Sequence, residues 1–301
     1  MDKTCGCKGI RSCILCENQE TPTNQQDCLK SDCVDTYDFC CHCGKAWLQT
    51  STESDKGEGN LSNCKLITTQ QCCESHDERG TRKFIHFPGI QIYCDFISET
   101  EEKTVCDKIY ETPFCLSQSG RRKQDYGPKV NFKKKKLKLA EFTGLPEFSK
   151  DIYDRMKMID VLSDFKPVEL CNLEYSSERG ASIDPHFDDF WLWGERLVTL
   201  NLLSESVLCF TNDDIPRTEV HVPMYQRSLL VVYGPARNKW KHAIHRCDIK
   251  DKRIAVTLRE LSDEFQRGGS REKEGHNLLD IALTFNGTAI GSHKASEHSE
   301  P

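Results

Sequence analysis

Long hydrophobic runs are missing from this chain of 301 residues. No stretch approaches the roughly 20 apolar residues that a membrane-spanning helix requires, so no membrane partner is expected. The opening residues, Met1 to Cys7, carry no apolar core of the kind a secretory signal has. A reducing compartment is therefore expected, cytoplasm or nucleus, where structural disulfides are rare. Bulk positive charge is missing too. A formal net charge of −6 argues against a protein that coats nucleic acid through its overall charge, while leaving room for local basic patches. No internal repeat is visible. Cysteine is scarce in the larger part of the chain: only Cys171, Cys209 and Cys247 follow Cys115, so the last two thirds cannot be a disulfide scaffold.

The other 15 cysteines crowd into the first 115 residues. Cys5-x-Cys7-x5-Cys13-x2-Cys16 offers four thiolates within twelve residues, and the Cys13-x2-Cys16 half has a common zinc-knuckle spacing. These four are candidate ligands of a structural zinc. Cys28, Cys33, Cys40, Cys41, His42 and Cys43 suit either a second zinc site, a redox-sensitive tract or a merely cysteine-biased insert. A polar run from Gln49 to Asn60 lacks the apolar content for a core. The expected organisation is a Cys-rich extension over 1–44, a flexible polar linker over 45–81 and one globular domain over 82–301.

Within that domain Lys83 to Phe96 reads as a strand. Ser98-Glu99-Thr100-Glu101 is a capping-box pattern that starts a helix running to about Tyr110. Residues 121–138 are basic, broken by Gly127 and Pro128, and read as loop or ribbon. A second helix follows Ser149, with Ile152, Met156 and Ile159 at helical spacing. From Pro167 onward short apolar runs recur between turn signals: 168–175, 196–203, 207–210, 219–222, 228–233 and 253–258. The last element expected is a short helix over 278–285. Several short strands without long intervening helices predict a mainly β fold, a jelly roll or double-stranded β-helix with the two earlier helices packed outside it.

The chemistry concentrates in Asp184-Pro185-His186-Phe187-Asp188-Asp189. On a strand, residues i and i+2 share a face, so His186 and Asp188 can grip one metal ion together. A third ligand is available in Trp240-Lys241-His242-Ala243-Ile244-His245, where spacing alone leaves His242 and His245 both open. Two histidines and one carboxylate make the facial triad of non-haem iron(II) oxygenases. His-x-Asp by itself is common on surfaces; the downstream arginines change its weight. Arg253 and Arg259 sit six apart in a β-forming run, so both guanidinium groups share one strand face. A planar guanidinium matches a carboxylate in a bidentate fashion, as a dicarboxylate such as 2-oxoglutarate requires.

With these motifs in place, residues 84–265 resemble an AlkB-type dioxygenase. The resemblance rests on His186-x-Asp188, His242 and Arg253-x5-Arg259. It extends to the stretches Gly234 to His242 and Arg121 to Gly127. Within that family the wording is nearest to the fourth animal homologue, in Cys5 to Cys13, Leu116 to Phe132 and Trp191 to Leu197. The inserted residues 18–80 depart from it. The resemblance implies Fe(II), 2-oxoglutarate and O2 as cofactors. It implies oxidative N-demethylation, in which 2-oxoglutarate becomes succinate and the methyl leaves as formaldehyde. The family's separation of about eleven residues between metal histidine and first arginine selects His242. The resemblance also implies that Arg253 meets the distal carboxylate of the cosubstrate and that Arg259 lies nearer the metal. A preceding Asn and Tyr would serve the same cosubstrate, for which Asn172 and Tyr175 are the candidates, Tyr175 the better one.

Two substrates follow from the resemblance. One is methylated lysine on a protein, actin being the example. The other is N6-methyladenine in DNA. The acidic total charge favours the protein. Arg122, Lys123 and Tyr126 are candidate substrate contacts, with Lys129, Lys133 to Lys136, Lys138 and Phe132 following. Phe190, Trp191 and Trp193 can either line a methyl-ammonium pocket or fill the core, with the core favoured. Asp189 reads as a turn carboxylate. The rival from another class is a non-catalytic interaction protein, a zinc module tethered to a degenerate jelly roll.

Overall fold

The computed structural model describes residues 7, 13–16, 34–49 and 82–290. Cys5, Cys28, Cys33 and the polar run beyond Gln49 lie outside these residues. In chain order the strands are β1 (Asp35–Cys40), β2 (Lys45–Leu48), β3 (Phe84–His86), β4 (Ile90–Tyr93), β5 (Cys115–Leu116), β6 (Arg122–Tyr126), β7 (Lys129–Asn131) and β8 (Lys136–Lys138). They continue with β9 (Pro167–Tyr175), β10 (Ile183–His186), β11 (Trp193–Leu202), β12 (Ser206–Thr211), β13 (Thr218–Met224), β14 (Leu229–Val232), β15 (Lys241–Ile244) and β16 (Arg253–Leu261). Within residues 82–290 the α-helices are α1 (Glu99–Tyr110), α2 (Ser149–Met156), α3 (Gly234–Lys239) and α4 (Glu272–Ala282). None is long and apolar enough to cross a membrane.

Two seven-stranded sheets make the domain. The major sheet has the order β4-β14-β11-β16-β9-β6-β5, and the minor sheet β10-β15-β12-β13-β1-β2-β3. This is the mainly β, double-stranded β-helix architecture expected from the strand pattern. Alternation along the strands explains the two cores. On β16, Ile254, Val256 and Leu258 face a core shared with helix residues Val105, Ile109, Ile152, Met156 and Leu278. Ala255, between them, faces the other way and packs with Leu208, Phe210, Val220, Val222 and Ile244 of the minor sheet. The major sheet is therefore covered on both faces, which is why its strands read as near-continuous apolar runs.

The capping box starts α1 as its sequence requires. Ser98 Oγ accepts from the Glu101 backbone N–H at 3.2 Å, and Glu101 Oε2 accepts from the Ser98 N–H at 2.7 Å. Helix α2 buries Ile152 and Met156; Ile159 lies beyond its end. The run from Lys83 to Phe96 is not one strand but two in different sheets, broken at Gly89. That glycine has φ +100°, and a Cβ there would lie 2.0 Å from the Tyr233 carbonyl oxygen. Residues 122–126, expected as loop or ribbon, form a strand paired with β9 inside the major sheet. The final helix starts earlier than expected, at Glu272.

The N-terminal part is more integrated than its composition implies. β1 pairs in parallel with β13 and antiparallel with β2, and Tyr37, Phe39 and Ala46 are buried in the inter-sheet core. The expected boundary between an extension ending at 44 and a linker starting at 45 falls inside this hairpin. Its turn closes at Gly44 with φ +66°.

Candidate metal centre and cosubstrate pocket

Two short strands that apolar patterning did not reveal, β10 and β15, pair antiparallel at the edge of the minor sheet, with His186 directly opposite His242. Their rings lie 4.4 Å apart. Asp188 follows the end of β10 and brings its Oδ1 within 3.7 Å of His186 Nε2. The ligand atoms of His186, Asp188 and His242 all lie within 4.8 Å of one another. His186 Nδ1 sits 2.7 Å from the Asp184 carbonyl oxygen. A carbonyl only accepts, so Nδ1 carries the proton and Nε2 keeps its lone pair on the side of the cluster.

The electrostatics suit a cation. Burial, reinforced by the neighbouring His186, pushes the His242 imidazole down to about 3, so it stays neutral and can donate a lone pair. Burial alone would raise the Asp188 carboxyl, but the Arg259 guanidinium and the two imidazoles outweigh it and hold it well below the usual carboxylate range. Arg259 Nε donates to Asp188 Oδ2 at 2.8 Å, and its NH1 donates to Glu169 Oε2 at 2.7 Å. The donor set, two imidazoles and one carboxylate, fits iron(II) with coordination positions left over.

From this cluster a pocket runs between the sheets to Arg253. Its walls are apolar, including Leu197, Leu208, Leu230, Val232 and Ile244. Arg253 is 2% exposed. Its Nε donates to Asn201 Oδ1 at 2.5 Å, one NH2 contact is the Met224 sulfur at 3.2 Å, and NH1 has no hydrogen-bond partner. The guanidinium lies 4.9 Å from the Tyr175 ring centre. A buried cation with a free N–H and no carboxylate against it fits the distal carboxylate of 2-oxoglutarate.

Tyr175 lies on the pocket wall. Asn172 does not. It is three residues away on β9, an odd separation, so it leaves the opposite face; its Nδ2 donates to Gln124 Oε1 at 2.8 Å. The candidate substrate contacts are also reassigned. Tyr126 is 3% exposed and belongs to the helix-side core. Arg122 is bound to the fully buried Glu174, and Lys123 to Asp125. All three are held by the pairing of β6 with β9. Trp193 is buried, and Trp191 packs edge-on against Phe265. Only Phe190 of that aromatic group is exposed. It lies 5.5 Å from the Phe187 ring and 4.2 Å from the Arg237 guanidinium. Asp189 Oδ1 accepts from the Trp191 and Leu192 N–H groups, as a turn carboxylate does. His245 is not in the cluster; its Nε2 is 3.2 Å from Glu219 Oε2.

Sequence reasoning missed Asn201, Glu169 and Arg237. Glu169 had a signal: it is six residues before Tyr175 and so shares its face of β9. Asn201 had a weaker one, a lone amide on the pocket-facing parity of β11 after Leu197 and Thr199. Arg237, 2% exposed and with none of its nitrogens hydrogen-bonded, had none.

At the N-terminus, Cys7, Cys13 and Cys16 converge with ligand atoms within 4.8 Å of one another. Cys13 is fully buried, and the Ser119 N–H donates to Cys7 Sγ at 3.2 Å, so the group is seated on the globular domain.

The fold and this pocket define an iron(II)- and 2-oxoglutarate-type dioxygenase. Comparison with known proteins makes the class specific. The human alpha-ketoglutarate-dependent dioxygenase alkB homolog 4 is 41% identical over 96% of this chain and 96% of its own. The DNA N6-methyl adenine demethylase of Caenorhabditis elegans is 36% identical over 92% of this chain and 94% of its own. The solved structure of OsALKBH1 superposes with a TM-score of 0.43 at 12% identity, covering 57% of this chain and 98% of that one. No protein-family model matches. The chain belongs to the AlkB family of alpha-ketoglutarate-dependent dioxygenases and is an oxidative demethylase. The reading as a non-catalytic interaction protein is thereby set aside.

Proposed function

We propose that His186, Asp188 and His242 hold the iron, and that Arg253 and Tyr175 receive 2-oxoglutarate, for removal of a methyl group from lysine on a protein such as actin. The observation that carries the site assignment is the pairing of a His–Asp–His cluster with the unpartnered Arg253 N–H in one buried pocket. Bound iron supplies oxygen activation coupled to decarboxylation of 2-oxoglutarate. The chain supplies the rest. Arg259 holds the Asp188 carboxylate ionised and in place. Burial keeps His242 neutral. Arg253, fixed by Asn201 and flanked by Tyr175, orients the distal carboxylate. The apolar walls exclude water.

For the substrate, the protein reading is supported by the net charge of −6. The commitment of Arg122 and Lys123 to internal carboxylates also favours it. The exposed Phe190, beside Phe187, offers a face for a methyl-ammonium group. The second reading, N6-methyladenine in DNA, is favoured by the worm relative's named activity and by the β7–β8 ribbon. That ribbon carries exposed Lys129, Lys133, Lys134, Lys135 and Lys136 around an exposed Phe132. Cys7, Cys13 and Cys16 would hold a structural zinc. The test offers methylated actin, a methyl-lysine peptide and N6-methyladenine DNA to the iron-loaded chain, with formaldehyde and succinate counted. Release from actin alone is expected; release from DNA alone overturns the protein reading.

A further inference from the structure

The outer face of the minor sheet carries a second converging set of donors. Cys209 on β12 and His221 on β13 are direct cross-strand partners, and Glu219 precedes His221 by two residues, so all three leave the same face. Their alternate neighbours Phe210, Val220 and Val222 point inward to the core. On the other side of Cys209 the register partner is Ala243, the smallest side chain on β15, so nothing bulky covers the thiol from that strand. The ligand atoms of Cys209, Glu219 and His221 lie within 4.8 Å of one another. His221 Nε2 is 2.5 Å from Glu219 Oε1, and His245 Nε2 is 3.2 Å from Glu219 Oε2. Cys209 Sγ is 3.7 Å from Asp248 Oδ2.

We propose that this cluster is a binding site for a divalent cation of the zinc class, ligated by Cys209, Glu219, His221 and His245. One thiolate, two imidazoles and one carboxylate form a mixed donor set of borderline softness, which suits a tetrahedral zinc-type ion better than magnesium or calcium. Access is graded in the right way. Cys209 is fully buried. The Glu219, His221 and His245 side chains are 18%, 23% and 36% exposed, an open rim above a buried thiol. Binding forms metal–sulfur, metal–nitrogen and metal–oxygen bonds and releases the Cys209 thiol proton to solvent, with no change of oxidation state.

The position gives the ion a role. His245 directly follows β15, whose inner face carries His242, while the other three ligands belong to β12 and β13. An ion bound here ties the end of the four-residue β15 to its sheet from behind the metal centre.

Zinc alone is the probe, on the full chain stripped of metal and reloaded. The wild-type chain is expected to hold one zinc equivalent that Cys209→Ser and His221→Ala each lose. A Cys7→Ser/Cys13→Ser chain is expected to keep it. In that last background, which leaves the cluster intact, cobalt(II) is expected to give a thiolate-to-metal charge-transfer band; the His–Asp–His site has no thiolate and cannot produce one. The band should vanish when Cys209→Ser is added. Absence of the band in the folded Cys7→Ser/Cys13→Ser chain, or an unchanged zinc content in Cys209→Ser, overturns the proposal.

Discussion

Strand β16 presents two arginines to one pocket, and their states are opposite. Arg259 is saturated: Asp188 and Glu169 accept its hydrogen bonds and, against the cost of burial, push its guanidinium well above its ordinary value. Arg253 is more deeply buried but meets an amide, a thioether and an aromatic ring instead of a carboxylate, and burial pushes it down. A buried cation without an anion costs several kcal/mol unless something repays it. The contrast separates an arginine that holds the protein's own carboxylates from one with no carboxylate against it.

The sharpest way to break that comparison is Arg253→Ala. Removing one partner of a buried hydrogen-bonded charge pair costs about 2–5 kcal/mol, so 2-oxoglutarate affinity should fall by roughly 30-fold to several thousand-fold. Iron binding should hold, because Arg253 touches no metal-cluster residue. Calorimetric titration of each ligand separates the two; equal losses of both would make Arg253 a folding residue and dissolve the distinction.

Arg259→Leu should act in the opposite order. Loss of a residue that orients a metal ligand typically lowers metal affinity or activity about 10- to 100-fold. Iron affinity should therefore fall first, with cosubstrate binding following because it needs the metal. The measurement is iron competition against a chelator, with and without 2-oxoglutarate. A variant with normal iron affinity but weakened 2-oxoglutarate would mean that Arg259 is a second cosubstrate arginine and does not support Asp188.

Strand parity made this comparison legible before any coordinates. The even separation of Arg253 and Arg259 places both on the pocket face, whereas the sandwich is legible from the succession of short strands, and His242 only through the family's spacing to Arg253. Parity also exposes the failure at Asn172, whose odd distance from Tyr175 sends it to the other face. The remaining misses have other causes. β10 and β15 are too short to show an apolar pattern, and Asp184, His186, Lys241 and His242 make up half of their residues. Residues 122–126 read as a basic loop or ribbon because Arg122 and Lys123 neutralise carboxylates of β9 and their own strand, a partnership that only the fold brings together. The β1–β2 hairpin has only a weak apolar signature, because Tyr37, Phe39 and Ala46, which seat it, stand among cysteines and polar residues.

The smallest expected effect serves as the control, because it lies outside the pocket. Ser98→Ala removes the cap of α1 and should cost about 1 kcal/mol of stability while leaving 2-oxoglutarate affinity unchanged. Its partner Glu101 adds a pH dependence whose sign is fixed. Hydrogen bonding to Arg155 and to the Ser98 N–H pulls the Glu101 carboxyl down to about 2 in the folded chain. A depressed carboxyl stabilises the fold above its unfolded value of about 4.3, and that contribution drains away as pH falls toward the folded value. Urea unfolding of the wild type and Glu101→Gln should therefore differ at neutral pH and converge as pH drops through that window. Solvent screening at this exposed pair keeps the difference small. If Ser98→Ala instead weakened 2-oxoglutarate binding as strongly as Arg253→Ala, the losses at β16 would report general stability, and the contrast between its two arginines would have no chemical content.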